Sequence, residues 1–297
     1  MRILFVGSVQ FSKNALDKLI DLREDIIGIV CKESSKFNSD FYDLGPIANT
    51  NNIPYFYTKN INTTETENWI KEKSPDVIYC FGWSQIIKPN ILKIPRLGII
   101  GFHPAEVPKN KGRHPIIWAL FLGLTQTATT FFFMNEGTDT GDILSQKKIK
   151  ILSTDNAATL YKKITETALL QIEEFSEQLK RNNFTRRPQK LDEGNYWRKR
   201  GNDDGKIDWR MNSVAIYNLV RSLTKPYIGA HINFLDKQYK IWKVKIIEQD
   251  KYLSNLEPGK ILNIDFKNKT FQVKTYDGVI EVLEHDIDNI DKIGEYI

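Results

Sequence analysis

The chain has 297 residues, enough for two domains, and its 41% hydrophobic and 27% charged residues are ordinary for a soluble globular protein. It contains no apolar run of about 18 residues and no signal-peptide pattern, so a cytoplasmic protein without a membrane span is predicted. The net charge of +5 is spread along the chain and suits an anionic small substrate as well as nucleic acid.

The first 180 residues alternate strand-like and helical patterns, which predicts a parallel sheet. Predicted strands cover residues 2–6, 25–31, 53–57, 75–82, 97–100 and 129–134. One helix is predicted after Ser12, which would cap it, and two more begin at Pro46 and at Thr64. Two further helices are predicted at residues 115–122 and 155–180. Cys31 and Cys80 lie in apolar runs and are interpreted as core thiols, and no metal site is predicted.

The loop at residues 7–12 joins the first strand to a helix, where free backbone N–H groups can bind an anion. It lacks the G-x-G-x-x-G pattern, so a dinucleotide site is not predicted, and a plain turn remains an equal alternative.

His103 follows the strand at residues 97–100, at the edge where open α/β sheets bind ligands. Asp139 lies in the turn-rich loop at residues 136–142, after the strand at residues 129–134. Our hypothesis is that two parallel strands bring this imidazole and carboxylate together at one mouth. A loop histidine, a solvated acidic turn and a hard-cation loop are the alternatives, although the acidic spacing is not that of an EF-hand.

Residues 181–205 are polar and rich in turn formers, which is typical of a linker. A helix is predicted at residues 214–223, and short alternating stretches follow at residues 230–234, 239–247, 260–276 and 278–283. Short strands separated by turn signals predict a small antiparallel barrel.

Several motifs occur together in order: His103-Pro104 with Pro108 and Gly112, then Glu136-Gly137-Thr138-Asp139-Thr140-Gly141-Asp142, then Ile207-Asp208-Trp209. With them the chain resembles, over nearly its whole length, the folate-dependent formyltransferases, which include methionyl-tRNA formyltransferase and the sugar N-formyltransferases. The resemblance implies a Rossmann-like catalytic domain at residues 1–185, a linker at residues 186–205 and an OB-like β-barrel domain at residues 206–297. It also implies transfer of a formyl group from 10-formyltetrahydrofolate to a primary amine.

The resemblance assigns the chemistry to two residues. His103 is the general base or oxyanion partner, and Asp139 orients it and relays the proton. The family normally has an Asn two residues before the His, where this chain has Gly101. A backbone N–H, a water, Asn110 or His114 would then replace that donor. Residues 105–107 also depart from the family's Ser-Leu-Leu.

The resemblance further suggests binding residues. Expected around the pterin are Phe81, Gly82, Trp83, Met134, Glu136 and Gly137, with strand-end packing as the alternative. Expected to contact sugar or phosphate are Ser8, Gln10, Lys13 and Arg113, which otherwise are solvated surface. Trp197 and Arg198 would line the acceptor cleft or pack between domains.

The loop at residues 32–40 has no arginine and two acids, so it lacks the basic phosphate grip of the tRNA-specific members. Residues 112–120 and 195–201 resemble sugar formyltransferases and formylation domains of nonribosomal peptide synthetases, and no synthetase module follows. We therefore expect a nucleotide-linked amino-deoxy sugar, with UDP-4-amino-4,6-dideoxyhexose favoured, for surface glycan synthesis. The alternatives are methionyl-tRNA, a carrier-bound aminoacyl group, hydrolysis of the formyl donor and a non-catalytic binding module. A homodimer is compatible with the resemblance.

Overall fold

The structure is a computed structural model that describes residues 1–35, 39–234, 237–248, 253, 255–288, 290 and 294–297. The chain divides into two compact units. The first comprises Met1–Pro115, Thr127–Lys150 and Lys162–Arg198, and the second comprises Ile116–Gln126, Ile151–Tyr161 and Lys199–Ile297. The domain boundaries expected at residues 185 and 205 stay a prediction.

A seven-stranded sheet forms the first unit. Its strands are β1 (Ile3–Val6), β2 (Ile26–Cys31), β3 (Tyr55–Tyr57), β4 (Val77–Cys80), β5 (Ile99–His103), β7 (Gln126–Phe133) and β8 (Ile143–Lys150), in the order β3-β2-β1-β4-β5-β7-β8. Two short strands, β6 (Lys111–Gly112) and β9 (Tyr196–Trp197), pair separately and in parallel. The helices in sequence order are α1 (Gln10–Asp21), α2 (Gly45–Thr50), α3 (Thr64–Lys73), α4 (Pro89–Leu92), α5 (Pro115–Phe121) and α6 (Ala157–Lys180).

The direction of β7 corrects one prediction. Strands β1 to β5 are parallel, but β7 runs antiparallel to β5, with His103 opposite Thr130. The chain therefore re-enters the sheet from the end at which β5 leaves it. The hypothesis that two parallel strands deliver His103 and Asp139 to one mouth is wrong. The loop between β7 and β8 delivers Asp139 instead.

Aromatic rings fill the core beneath β5. The Phe131 ring lies 4.8 Å from that of Phe102, 5.2 Å from that of Phe81 and 4.8 Å from that of Phe175. Phe11 of α1 stacks on Phe102 with ring centroids 4.2 Å apart. Such ring pairs add to the stabilisation from apolar burial, so the residue before His103 is held firmly.

The predicted core thiols are buried in the same unit. Cys31 is fully buried and Cys80 is 5% exposed. Burial raises the pKa of each thiol to about 12, so both remain protonated at neutral pH.

The second unit contains an antiparallel sheet of five strands. They are β10 (Ala230–Phe234), β11 (Lys237–Ile247), β12 (Ile261–Asp265), β13 (Thr270–Lys274) and β14 (Val279–His285), in the order β10-β11-β14-β13-β12. Helix α7 (Ser213–Leu223) packs with them, and the Asn212 side chain caps it by accepting the Ala215 N–H at 2.7 Å. The predicted fold class, a Rossmann-like sheet domain followed by a smaller antiparallel β domain, is confirmed. Among the helices of the described residues, none combines the length and apolar character that crossing a membrane requires.

Candidate active site

His103 is the last residue of β5 and is only 5% exposed. Pro104 follows it and has no N–H with which to continue the strand ladder. The imidazole Nε2 lies 2.8 Å from the carbonyl oxygen of Asn110. Because a carbonyl oxygen can only accept, Nε2 carries a proton and donates it to this bond. The neutral ring therefore has its free lone pair on Nδ1.

Asp139 faces that lone pair. Its Oδ2 lies 3.6 Å from His103 Nδ1, a separation longer than a hydrogen bond. The Gly112 N–H donates to the same oxygen at 3.1 Å. Asp139 has a φ of 55°, a left-handed conformation that aspartate tolerates better than most residues. Two proton acceptors, Nδ1 and Oδ2, thus share one small space.

The loop that carries Asp139 has its own internal support. Asn135 Oδ1 accepts the Gly137 N–H at 3.0 Å and the Thr140 hydroxyl at 2.8 Å. Met134, at the start of the loop, packs against the same apolar cluster as Trp83. The predicted pterin residues Trp83 and Met134 therefore lie against one apolar cluster, and Glu136 and Gly137 lie in the exposed part of the loop.

The position of the missing family Asn is filled by apolar side chains. A Cβ on Gly101 would lie 2.9 Å from Phe132 Cζ and 3.0 Å from Met134 Cγ, so a larger residue would need its neighbours to move. Asn110 contacts His103 through its backbone carbonyl oxygen. A donor role for the side chain of Asn110 or His114 stays a prediction.

The turn after β4 needs a glycine for close packing against α1, and the approach of a flat ligand to its backbone stays a prediction. Gly82 has a φ of 74°, and a Cβ there would collide with the Val9 side chain. The Phe81 carbonyl accepts the Ser12 hydroxyl at 2.5 Å. Trp83 Nε1 is buried and, among the described residues, has no hydrogen-bond partner. An acceptor on a bound ring system would satisfy it.

A depression of about 590 Å³ adjoins this turn. It is lined by Asn60, Asn62, Ser84, Gln85, Ile86, Lys88 and Arg113. The Arg113 guanidinium donates to the Ser84 carbonyl at 3.4 Å, which brings a predicted anion contact beside Trp83. Lys88 adds a second cation to the rim.

In the predicted anion loop at residues 7–12, the N–H groups of Ser8 and Val9 are already hydrogen-bonded within the loop. Ser12 is not a cap, because the cap residue of α1 is Val9. The Ser12 hydroxyl oxygen instead accepts the N–H groups of Ser8 and Val9, each at 3.1 Å. Ser8 itself is 3% exposed, and its hydroxyl donates to the Gly7 carbonyl at 2.7 Å and accepts the Lys32 N–H at 2.9 Å.

The other predicted contacts of α1 also have partners on their own helix. Gln10 donates to the Asn14 side chain at 3.1 Å. Lys13 pairs with Asp17 at 2.6 Å, and that bond raises the pKa of the lysine. A role for Ser8, Gln10 and Lys13 in binding the acceptor stays a prediction.

Sequence reasoning missed two residues of the segment expected to be a linker. Gln189 Nε2 donates to the carbonyls of Asp139 at 3.0 Å and Gly141 at 2.6 Å. Asn195 Oδ1 accepts the Asn110 N–H at 2.8 Å. Such amides carry no periodic signal; the clue available was two amide residues within a polar stretch. Trp197 lies in β9 beside Gly112, and the binding roles expected of Trp197 and Arg198 stay predictions.

The sheet, the His103–Asp139 pair and the similarity to known proteins together define a one-carbon transferase. Residues 1–172 match the family described as formyl transferase, and residues 200–293 match the formyl transferase C-terminal domain. This chain belongs to the formyl transferase family and is an enzyme that transfers a formyl group. The donor used in the family is a formyl-tetrahydrofolate.

Three relatives show the range of similarity. The bifunctional polymyxin resistance protein ArnA of Wigglesworthia glossinidia brevipalpis is 35% identical over 81% of this chain, which spans only 37% of that relative. The methionyl-tRNA formyltransferase of Clostridioides difficile is 30% identical over 100% of this chain and 96% of its own length. The N-formyltransferase of Helicobacter canadensis, solved with folinic acid and dTDP-3-aminofucose, has the same fold, with a TM-score of 0.72, 17% identity and coverage of 96% and 99%.

Proposed function

We propose that this enzyme transfers a formyl group from 10-formyltetrahydrofolate to the primary amine of a nucleotide-linked amino-deoxy sugar, for surface glycan synthesis. The observation that carries the proposal is the pair of proton acceptors, His103 Nδ1 and Asp139 Oδ2, 3.6 Å apart. Formyl transfer to an amine requires removal of a proton from nitrogen, and a positioned imidazole is suited to that task.

The chain's own residues would handle the proton as follows. Most alkyl amines are protonated at neutral pH, so an incoming ammonium can donate to both acceptors. One proton passes to His103 Nδ1 and leaves a nucleophilic amine. The ring is then an imidazolium, still bonded to the Asn110 carbonyl through Nε2 and stabilised by the Asp139 carboxylate. The Gly112 N–H keeps that carboxylate oxygen in place.

The folate, when bound, supplies the formyl group, and two features of this chain fit it. The buried Trp83 Nε1 needs an acceptor, and a pterin ring offers several. The depression with Lys88 and Arg113 on its rim suits the carboxylates of a glutamyl tail, which gives Arg113 an alternative to the sugar or phosphate contact predicted from the sequence. The residues Gly82, Trp83, Met134, Glu136 and Gly137 remain our assignment for this ligand. Phe81, predicted with them, is fully buried, and its N–H and carbonyl are bonded to Val6 and Ser12.

The loop at residues 32–40 supports a sugar acceptor over a nucleic acid. It has no arginine, and residues 36–38 of it lie outside the described part of the chain. Its first cation, Lys32, lies 4.8 Å from the centre of the Trp83 ring, and burial lowers its pKa. The H. canadensis enzyme of the same fold was solved with a nucleotide-linked amino sugar, which also supports this class. Within it we favour a UDP-linked 4-amino-4,6-dideoxyhexose.

Methionyl-tRNA is the second candidate acceptor. The C. difficile methionyl-tRNA formyltransferase matches this chain along its full length at 30% identity. Grip on tRNA phosphates would appear as a steep loss of affinity with salt.

The deciding experiment measures tetrahydrofolate formed from 10-formyltetrahydrofolate with each member of an acceptor panel. The panel contains UDP-, dTDP-, GDP- and CMP-linked amino sugars and methionyl-tRNA, with His103→Ala and Asp139→Ala as matched inactive controls. Fast turnover with one amino sugar, lost in both variants, is the expected result. Turnover with methionyl-tRNA alone overturns the sugar assignment. Formate release without any amine would identify a hydrolase, and unchanged folate throughout would leave only a binding role. Sedimentation of the same preparation tests the proposed homodimer.

A further inference from the structure

The segment at residues 186–197, which we call the strap, belongs to the first unit and is hydrogen-bonded to other segments of it near both of its ends. Near its start, Arg187 and Ile143 exchange two backbone hydrogen bonds of 2.8 and 3.0 Å. Near its end, β9 pairs with β6, and the Arg113 N–H donates to the Trp197 carbonyl at 3.0 Å. The strap therefore lies beside both the Asp139 loop and the segment that follows His103.

Gln189 holds the backbone of Asp139. Its side-chain NH₂ group has two hydrogens, and it donates to two carbonyls, those of Asp139 and Gly141. Its Oε1 is buried and accepts no hydrogen bond within the described residues. The side chain thus serves at this place as a donor. Its bond falls on a residue in the left-handed region, a backbone state that persists only when neighbouring contacts enforce it.

Asn195 is connected to His103 through Asn110. Its Oδ1 accepts the Asn110 N–H at 2.8 Å, and the Asn110 carbonyl accepts His103 Nε2–H at 2.8 Å. Asn110 also has a positive φ, 64°. Asn195 serves here as an acceptor, the opposite of Gln189. The side chain holds the peptide before Asn110, and the Asn195 backbone carbonyl accepts the Lys111 N–H at 3.1 Å and so holds the next peptide, whose carbonyl oxygen contacts the His103 ring.

Gly112 provides a third link between strap and pair. Its N–H donates to Asp139 Oδ2, while β6–β9 pairing places the Trp197 carbonyl where a Cβ on Gly112 would lie. With a φ of 101° as well, the position excludes any side chain. The strap backbone and the Asp139 carboxylate are therefore connected through a single residue.

We propose that Gln189 and Asn195 are positioning residues that set the distance and the tautomer of the His103–Asp139 pair for proton removal. Gln189 acts through the backbone of Asp139 and Asn195 acts through Asn110. The catalytic consequence rests on the proposed function of that pair, whereas the structural consequence can be measured without turnover.

The two amides make opposite predictions for the same isosteric change. Gln189→Glu replaces two donated bonds with a carboxylate facing two carbonyls, so kcat should fall about 10- to 100-fold as Asp139 moves. Asn195→Asp keeps the acceptor that Asn110 needs, so kcat should stay within about threefold of wild type on the same scale. Asn195→Leu has no acceptor, so its kcat should fall about as much as that of Gln189→Glu. In each case KM for the folate should change little, because neither side chain lines the Trp83 turn or its depression.

A matched control separates positioning from stability. Gln171 in α6 is a fully buried glutamine of the same unit, bonded to Thr129 and, at 2.8 Å, to the Ser145 hydroxyl, away from the Asp139 loop. Gln171→Met should lower the melting temperature at least as much as Gln189→Met, yet keep kcat per folded molecule. Equal losses of kcat in both methionine variants would mean that the strap acts only through stability, and would overturn the proposal.

The activity-independent readout is the ring-nitrogen NMR signal of His103, assigned by its loss in His103→Gln. The wild type should show a protonated Nε2 and a bare Nδ1. Asn195→Leu should mix the tautomers, and Asn195→Asp should restore the wild-type pattern. An unchanged signal in Asn195→Leu, with wild-type kcat in Gln189→Glu, sinks the proposal. If the wild type forms no tetrahydrofolate with any acceptor, the proposed function fails. The ring-nitrogen signals alone then test whether the strap positions His103.

Discussion

Each unit of the molecule buries a histidine in or at the end of a strand, and the two are used differently. His103 is 5% exposed and His231 of β10 is 2% exposed. His103 has a carbonyl at one ring nitrogen and a carboxylate facing the other. His231 Nδ1 is buried and lacks a partner among the described residues, and burial first, then Lys240, lowers its pKa. Burial alone leaves an imidazole inert, and the arranged acceptors are what suit His103 to moving protons.

The largest expected effect is the loss of activity when His103, but not His231, is replaced. His103→Ala should lower kcat about 10²- to 10⁴-fold, because it removes a positioned proton acceptor. His231→Ala should leave kcat per folded molecule unchanged. Steady-state assays with the acceptor that the panel experiment selects check both. Comparable losses in the two variants would show that burial of a histidine, and not its acceptors, is what matters.

Packing beside His103 gives the next prediction. Gly101→Asn, which restores the family residue, should destabilise the protein by about 1–3 kcal/mol, because the new side chain overpacks Phe132 and Met134. Urea unfolding measures the loss. Gly101→Ala is the matched smaller step and should cost less. An increase in both stability and kcat for Gly101→Asn would show that the site can still accept the family's donor.

The second unit should be the acid-sensitive one. The pKa of His231 is held below its ordinary value of 6.5, so the unfolded chain binds the proton more readily than the folded chain. The neutral ring's contribution to stability is therefore complete above pH 6.5 and is lost as the pH falls below it. Lys240 and Lys206 add to the effect, and Asp203 opposes it.

Urea midpoints followed from neutral pH downwards test this dependence. His231→Gln should flatten the curve, and adding His285→Gln should flatten it further, because burial also lowers the pKa of His285. Identical slopes for the wild type and the double variant would contradict the assignment.

The smallest effect concerns the depression beside Trp83. Lys88→Gln should raise KM for the folate about two- to fivefold with little change in kcat, since an exposed charge contact contributes modestly. Lys93, which does not line the depression, is the matched control. A folate KM that is the same in both variants would remove Lys88 from the binding assignment.

The α/β architecture could be predicted because β1 to β5 appear in the sequence as short apolar runs, whereas β8 does not and no strand was predicted at residues 143–150. The direction of β7 could not, since an apolar run is the same read either way and a sheet edge accepts both directions. That error left His103 and Asp139 correctly paired for an incorrect reason. Their pairing came from motif spacing in a resemblance, and the 3.6 Å contact depends on a loop that strand patterns do not describe.

The site's supports were the least predictable part. The polar composition of residues 181–205 is that of a linker, because a strap held by backbone pairing and side-chain amides needs no apolar face. Ser8 shows the converse case. A serine beside a helix start resembles an anion site, yet the Ser8 N–H donates to the Ser12 hydroxyl oxygen. The sequence prediction made Ser12 the residue before the helix, whereas Ser12 lies in the first turn of α1.

The position of the strap in the sequence also sets an order of events during synthesis and folding. Asn195 comes 85 residues after Asn110, and Gln189 comes 50 residues after Asp139. During translation, every strand of the seven-stranded sheet leaves the ribosome before the strap does. We expect a nascent chain to assemble its scaffold first and to acquire a braced His103–Asp139 pair afterwards. Contacts this distant in sequence form late in folding, so an unfinished or clipped chain can look folded while its chemistry is not yet in place.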